Sequence, residues 1–505
     1  MRRAVLRSAA AVLLAGPTVL AFYSGGYFDG PRLVATLVAW TVVVVVAVWS
    51  PKPLPASWAG RIALAGLALV AGWTGASIAW APLSAPATDA LVRLLLYVGA
   101  LIAAMALVRE RPVAPWVEPA LALGAVVVIG YGLAGRLLPG IVHLAQSSTA
   151  QGRLEQPITY WNAEGALAGI GLVLCARLAG DRARPTAARV LAAAASAPLG
   201  AGVYLSYSRG ALAATIVGLV VLVAAAPSWP QLRAVAVSVV AGAAVAAVSG
   251  ALRGVSSLEG SMGVREREGA IVLAVLVAVM LVAGALQRRM AAAEAGGTLA
   301  PGELRFARRL PALAAVALAL GLAGLVAGGL QERGSSRELA RPNQAGRLVS
   351  LKSRRYDYWR IGFRAFRRHP LKGLGAGGFR VVWLRERPTP AATLEVHSLP
   401  LEMATELGVV GLLGFGLFLG GIGVAAVRAL RRGSAVAAGA AAGAAVFLLH
   451  SSIDWDWQVP AVTLPALILA GTLVAASEAR PQPDASPAGA GVEERTHQGA
   501  AAAPG

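Results

Sequence analysis

Residues 33–49 read LVATLVAWTVVVVVAVW, seventeen residues without a charge, with Arg32 before them and Lys52 just beyond. A run of this kind approaches the roughly 20 apolar residues that cross a bilayer. It has company along the whole chain. Further apolar runs of spanning length lie at 4–22, 61–80, 91–108, 119–138, 161–178, 187–206, 210–226, 231–250, 269–287, 311–330, 403–427, 435–450 and 460–477. Hydrophobic residues make up 57% of the 505, and charged ones 14% against roughly 25% in an ordinary soluble domain. A soluble fold cannot hide that much apolar surface, so the expected class is an all-α polytopic membrane protein with about 12–14 transmembrane helices. Trp58, Trp80, Trp161 and Trp229 stand at run ends, where an indole suits the membrane–water boundary. The first run follows Arg2, Arg3 and Arg7 without a small-residue cleavage site after it, and reads as an uncleaved first helix.

The chain carries 45 basic and 25 acidic residues, a net charge of +20. Fourteen spans starting from the cytoplasm put 22 basic residues on the inner connections and eight on the short outer ones, the asymmetry that insertion favours. Both termini are then cytoplasmic, in a bacterial inner membrane. The outlier is the long outer segment 331–400, with fifteen basic and five acidic residues. The excess charge is thus divided between topology and one extracytoplasmic patch, and does not read as a nucleic-acid surface. The chain divides into N-terminal helices (1–150), central helices (151–330), the outer loop (331–400), C-terminal helices (401–477) and an Ala/Gly/Pro-rich tail (478–505) expected to be disordered and cytoplasmic. A single cysteine, Cys175, excludes a disulfide framework or cysteine cluster and reads as a small core residue.

Inside the outer loop, residues 355–368 (RYDYWRIGFRAFRR) predict a short amphipathic helix. Tyr356, Trp359, Phe363 and Phe366 recur at helical spacing, with Arg360, Arg364, Arg367 and Arg368 between them, so the helix is expected on the membrane surface with aromatics in the headgroup boundary. It either adheres to anionic lipid or gathers a phosphate-bearing substrate, because a guanidinium serves both. The glycine-rich stretch 369–379 (HPLKGLGAGGF) lacks the Walker lysine–threonine pair and reads as a sharp bend near the headgroups. His397 stands beside Ser398 at the start of the next helix, where a histidine is either structural or a base. Glu164 and Arg209 sit just inside helix ends, where ionised groups are commonly functional or paired with each other. Arg153, in an outer connection, has the simpler reading of a solvated charge. His143 and His450 have no partners at metal-ligand spacing, and Asp454-Trp455-Asp456 reads as an interface anchor because of its tryptophan.

His397-Ser398, nine residues, then Gly408-x-x-Gly411 resembles the signature carried by the ligases of the O-antigen ligase and polymerase superfamily of bacterial membrane glycosyltransferases. Arg355-x-x-x-Trp359 followed by Pro370-Leu371-x-Gly373-x-Gly375 is similar to the stretch those proteins carry before the histidine, and Ser208-Arg209-Gly210 to their Ser-Arg-Gly motif. The similarity extends over roughly 155–455. Two places depart from it: Ala213, not leucine, follows Arg209 by four, and Trp161-Asn162-Ala163-Glu164 replaces an Asn-Pro-Asn opening.

The resemblance implies a GT-C-like architecture and transfer of a glycan from an undecaprenyl-pyrophosphate carrier to a hydroxyl at the outer face of the membrane. In that reading His397 is catalytic, Arg209, Arg355 and Arg360 bind the donor pyrophosphate, and Arg153, Asn162 and Glu164 line an acceptor or donor pocket. No cofactor or metal is implied, and the displacement is expected to invert the anomeric centre. Partners would be the lipid-linked donor, a glycan, lipid or protein acceptor, and membrane lipids. A ligase, a polymerase and a protein O-oligosaccharyltransferase all remain open. A flippase of lipid-linked oligosaccharide and a non-catalytic scaffold are the rivals from other classes. A flippase calls for ionisable groups through the spans and interrupted helices, whereas here those groups collect at one face.

Overall fold

The computed structural model describes residues 1–110, 112–295, 355–390 and 392–479. Among them all regular structure is helical. The first five helices are α1 (Arg2–Ala21), α2 (Asp29–Trp49), α3 (Trp58–Ser77), α4 (Ser84–Leu107) and α5 (Ala114–Leu137). After a 23-residue connection come α6 (Trp161–Gly180), α7 (Thr186–Leu205), α8 (Arg209–Ala225), α9 (Trp229–Ala251), the single turn α10 (Arg253–Ser256) and α11 (Met262–Ala295). The remainder is α12 (Arg355–Arg368), α13 (Phe379–Glu386), α14 (Leu399–Arg431), α15 (Ala437–Ser451) and α16 (Pro460–Glu478). Eleven of these are long and apolar enough to cross a membrane, and α8 and α15 are shorter apolar helices. The chain is a polytopic membrane protein. Thirteen of the fourteen expected runs correspond to these helices; the run 311–330 and nearly all of the tail lie outside the described residues.

Local chemistry starts several of the helices. Ser57, Ser208 and Ser228 each turn a hydroxyl onto the backbone N–H three residues on, at 3.2–3.3 Å, and so satisfy one of the orphan donors of α3, α8 and α9. Packing depends on small residues. Lipid is as apolar as leucine, so helices associate by close van der Waals approach rather than by escape from water. Gly66 of α3 faces Gly414 of α14 closely enough that a Cβ on Gly414 would lie 3.1 Å from the Gly66 carbonyl oxygen. Gly421 of α14 sits against Ala59 and Ala63, and Gly200 of α7 against Gly242 of α9. The abundant glycine and alanine are therefore contact residues. α6 and α16 are buried along their whole spanning windows and form the centre of the bundle.

Charges separate to two faces. One face holds Arg109–Glu478 (2.6 Å), Arg189–Glu294 (2.8 Å) and Arg184–Glu118 (3.3 Å). The other holds Arg32–Asp89 (3.3 Å), Arg380–Glu395 (3.7 Å) and the Arg355–Asp454 pair. This is the partition that the alternation of spans demands.

On the second face α12 and α13 form a cap with its own small core of Ile361, Phe379, Trp383 and Val396. The expected amphipathic helix is present, and one of its sides packs on protein. α12 buries Ile361, Gly362 and Ala365 against protein, and Tyr358 meets Trp383 edge-on at 4.8 Å, while Tyr356 and Phe363 of the aromatic stripe face outward. Its arginines tie protein to protein: Arg364 and Arg368 both reach Glu386 of α13.

The glycine-rich stretch also has a different role from the one expected. α14 is broken at Gly408, where φ +65 and ψ −158 leave the helix. The stretch 370–378 fits into that break. Leu374 N donates to the Thr405 carbonyl (3.0 Å), Gly375 N to that of Glu406 (2.9 Å), and Val409 N to that of Pro370 (2.8 Å). Trp73 Nε1 takes the carbonyl of Leu407 (3.0 Å), and the Glu406 carboxylate accepts from the amides of Gly377 and Phe379. Glycine is required because the backbones touch: a Cβ on Gly373 would strike Glu406, and one on Gly408 would strike Leu371. The section from 409 to 431 spans about 34 Å at 1.5 Å per residue, sufficient alone for a hydrocarbon core of about 30 Å.

Candidate functional site

His397 ends the segment that leads into α14. Its backbone is left-handed, at φ +57, a region histidine visits more readily than most residues. Trp359 Nε1 donates to its carbonyl at 3.1 Å. The imidazole lies against Tyr358 (centroids 5.1 Å apart) and edge-on to Trp455 (6.4 Å). Nδ1 is 3.0 Å from the carbonyl oxygen of Glu395. A carbonyl only accepts, so Nδ1 carries the proton and Nε2 keeps a lone pair. Burial pushes the pKa of the ring down to about 4, reinforced by Arg355 and opposed by Asp454, so the ring is neutral at pH 7.

Arg355, the first residue of α12, pairs with Asp454, which is fully buried on the turn between α15 and α16. The second oxygen of Asp454 accepts the Tyr160 hydroxyl at 2.6 Å and the Trp455 amide at 2.9 Å. Burial raises the pKa of this carboxyl, but Arg355 and the two histidines His450 and His397 outweigh it and hold the group below its ordinary range. Asn162 Nδ2 in turn donates to the Tyr160 hydroxyl at 2.8 Å, and Tyr160 packs against Trp455 with centroids 4.2 Å apart. A hydrogen-bonded line thus runs Asn162, Tyr160, Asp454, Arg355, beside His397.

The Ser208-Arg209-Gly210 turn approaches from another side. The Ser208 hydroxyl, which caps α8, lies 3.3 Å from Nε2 of His450, and Nδ1 of His450 bonds Asp456. His450 and Asp456 are both fully buried. Gly210 makes the approach possible, because a Cβ there would sit 3.0 Å from Ile453 and 3.1 Å from the His450 ring. Arg209 is consequently set at the head of α8 by the same turn that carries Asp454.

The other expected residues fall differently. Arg153 is 4% exposed and not a solvated charge: its guanidinium donates to the carbonyls of Ala150 (2.7 Å) and Thr149 (2.8 Å) and lies 3.5 Å from the centre of the Trp161 ring. The Glu164–Arg209 pair is not formed. Glu164 is fully buried in the first turn of α6, and neither of its carboxylate oxygens has a hydrogen-bond partner among the described residues. Arg360 is exposed on α12 and bonds Asp357 at 2.7 Å. Asp454-Trp455-Asp456 is not an interface anchor; its acids are buried and its tryptophan stacks inside the site. The sequence showed this pair of acids, and what marks them out is two carboxylates on one short turn next to His450.

No curated protein matches the chain. Residues 262–416 match the family model described as O-antigen ligase. That stretch holds Arg355, His397, Gly408 and Gly411, and the match supports the similarity to the O-antigen ligase superfamily.

Proposed function

We propose that the protein transfers a glycan from an undecaprenyl-pyrophosphate carrier to an acceptor hydroxyl, with the Arg355–His397 face toward the outside of the inner membrane and both termini in the cytoplasm. The observation that carries this reading is the meeting of a neutral histidine and a fixed arginine at one boundary face of the bundle, within the segment matched to the ligase family. His397 Nε2 accepts the proton of the attacking hydroxyl. The hydroxyl oxygen bonds to the anomeric carbon while the bond from that carbon to the pyrophosphate oxygen breaks, and the pyrophosphate leaves with the electron pair. One displacement of this kind inverts the anomeric centre. Negative charge grows on the diphosphate, and fixed guanidinium groups stabilise it there. Arg355 is the first of these because Asp454 aims it, and Arg209 the second because the His450–Asp456 turn holds its helix end; Arg360, out on the helix surface, would steer the approaching anion.

The ligase reading is preferred over the flippase because α14, the one helix broken in mid-span among the described residues, has its break filled by the chain's own backbone rather than open to a passing substrate. The acceptor class, whether a lipid-linked core sugar, a repeat unit or a protein hydroxyl, is decided by product analysis. With purified full-length protein, lipid-linked donor and acceptor, His397→Ala is expected to abolish transfer while the protein inserts and melts as the parent does. Parental transfer rates in that variant overturn the role of His397.

A further inference from the structure

Beside the site, on the same face, lies a cavity of about 210 Å3 walled by Tyr27, Arg93, Arg380, Glu395, Glu402 and Gln458. It is joined to the His397 site through Glu395, whose carbonyl fixes the imidazole and whose carboxylate accepts from Gln458 Nε2 at 3.2 Å. Three buried polar groups here are incompletely bonded. Glu402 is 4% exposed; its Oε1 accepts from Gln458 Nε2 at 2.6 Å, but its Oε2 has no partner among the described residues. Gln458 is 2% exposed, and its Oε1 has none either. Arg93 is 9% exposed, and its Nε has no hydrogen-bond partner among the described residues. Buried polar groups of native proteins are nearly always satisfied, so two acceptors and one donor around one cavity fit an occupant that both donates and accepts.

Charge narrows the occupant. The cavity wall carries five carboxylates, Asp29, Asp89, Glu395, Glu402 and Glu406, against three guanidinium groups, Arg32, Arg93 and Arg380. A phosphate or pyrophosphate offers chiefly acceptors and leaves Gln458 Oε1 without a donor. An amine would satisfy Glu402 but leave Arg93 Nε without an acceptor. A ring bearing adjacent hydroxyls supplies both kinds of bond, since each hydroxyl donates once and accepts twice. Size agrees: the space falls below the roughly 300–1,000 Å3 of sites for drug-sized ligands, which fits a single ring and not a chain. The Tyr27 ring in the wall offers a flat apolar surface for the C–H side of such a ring.

We infer that this cavity is a subsite for one uncharged sugar ring of a glycan substrate, gripped by Arg93, Glu402 and Gln458. The inference rests on the glycan-transfer reading for its place in a reaction, but not for the binding itself. The same chemistry is offered by the donor glycan and by a glycan acceptor, so the test has two arms.

In the first, full-length protein in lipid nanodiscs is titrated with the methyl glycosides of glucose, galactose and N-acetylglucosamine and with inorganic pyrophosphate, followed by intrinsic fluorescence and Tm. At least one glycoside is expected to bind saturably, with half-saturation on the order of 1–10 mM as befits one small ring. Glu402→Gln, which is isosteric, and Arg93→Met are each expected to weaken it about tenfold or more, the scale of one charge-assisted hydrogen bond. Absence of saturable binding to a protein that unfolds cooperatively overturns the inference. So does binding indifferent to Glu402→Gln, or displacement of the glycoside by pyrophosphate. In the second arm, Glu402→Gln is expected to raise KM for one substrate in the transfer assay. A rise for the donor assigns the ring to the donor glycan, a rise for the acceptor to the acceptor glycan, and no rise for either overturns it. Glycoside binding retained by His397→Ala keeps this result separate from the chemistry, so a failure of the transfer reading leaves the cavity's own test intact.

Discussion

Three separate constraints fix His397 as a neutral imidazole, as the proposed base requires: a left-handed backbone that Trp359 holds, a carbonyl that claims Nδ1–H, and burial that disfavours the imidazolium. Its folded pKa, about 4, lies below the ordinary 6.5. Between those values the unfolded chain would hold a proton that the folded one does not. Stability from this residue is therefore complete above pH 6.5 and is lost progressively as pH falls toward 4. The neutral, proton-accepting form persists over the same window. The acid limb of kcat/KM for transfer is accordingly expected near pH 4, and a limb near pH 6.5 in a pH–rate profile would contradict a buried neutral base. Asp454 was harder to find from residue types. Its tryptophan neighbour suggests the membrane interface, and only the fold brings Arg355, from a segment 99 residues earlier, onto its carboxylate. Arg153 misleads for a related reason: a cation in a polar connection looks solvated until Trp161 is seen beneath it.

The helices were legible because hydrophobic runs of spanning length admit few other conformations in lipid. The break in α14 was not, although its glycine, Gly408, stands in the recognised motif. A glycine in an apolar run is commonplace, and whether it is a contact residue or a break depends on what backbone meets it. Here Gly408 is the break. Gly408→Ala places a Cβ against the Leu371 carbonyl and forces an alanine to φ +65, with strain of about 1–3 kcal/mol from the backbone conformation alone. A lowered Tm in detergent together with lost transfer is expected. Gly416→Ala in the same helix, where nothing lies within 4 Å of the new Cβ, is expected to leave both unchanged. Equal behaviour of the two variants would show that the break is not structurally required. The amphipathic pattern of α12 was also half legible: the period was right, but the cap core takes the Tyr358–Ile361–Ala365 side of the helix and leaves Phe363 outside.

Across the whole molecule, the separation of ion pairs to two faces makes sidedness measurable. The only cysteine, Cys175, is buried and should stay silent to labelling. Leu384→Cys on exposed α13 is expected to react with an impermeant thiol reagent added to intact cells, and Ala183→Cys, between α6 and α7 on the opposite face, only after lysis; the reverse pattern would invert the topology. The filled break in α14 has a consequence for how the architecture can vary. A cap that completes the hydrogen bonds of a membrane helix is not a detachable module. Chimeras that exchange residues 355–398 between relatives should fail unless the 405–409 segment travels with them, and evolution faces the same restriction: the cap and the helix beneath it must change together.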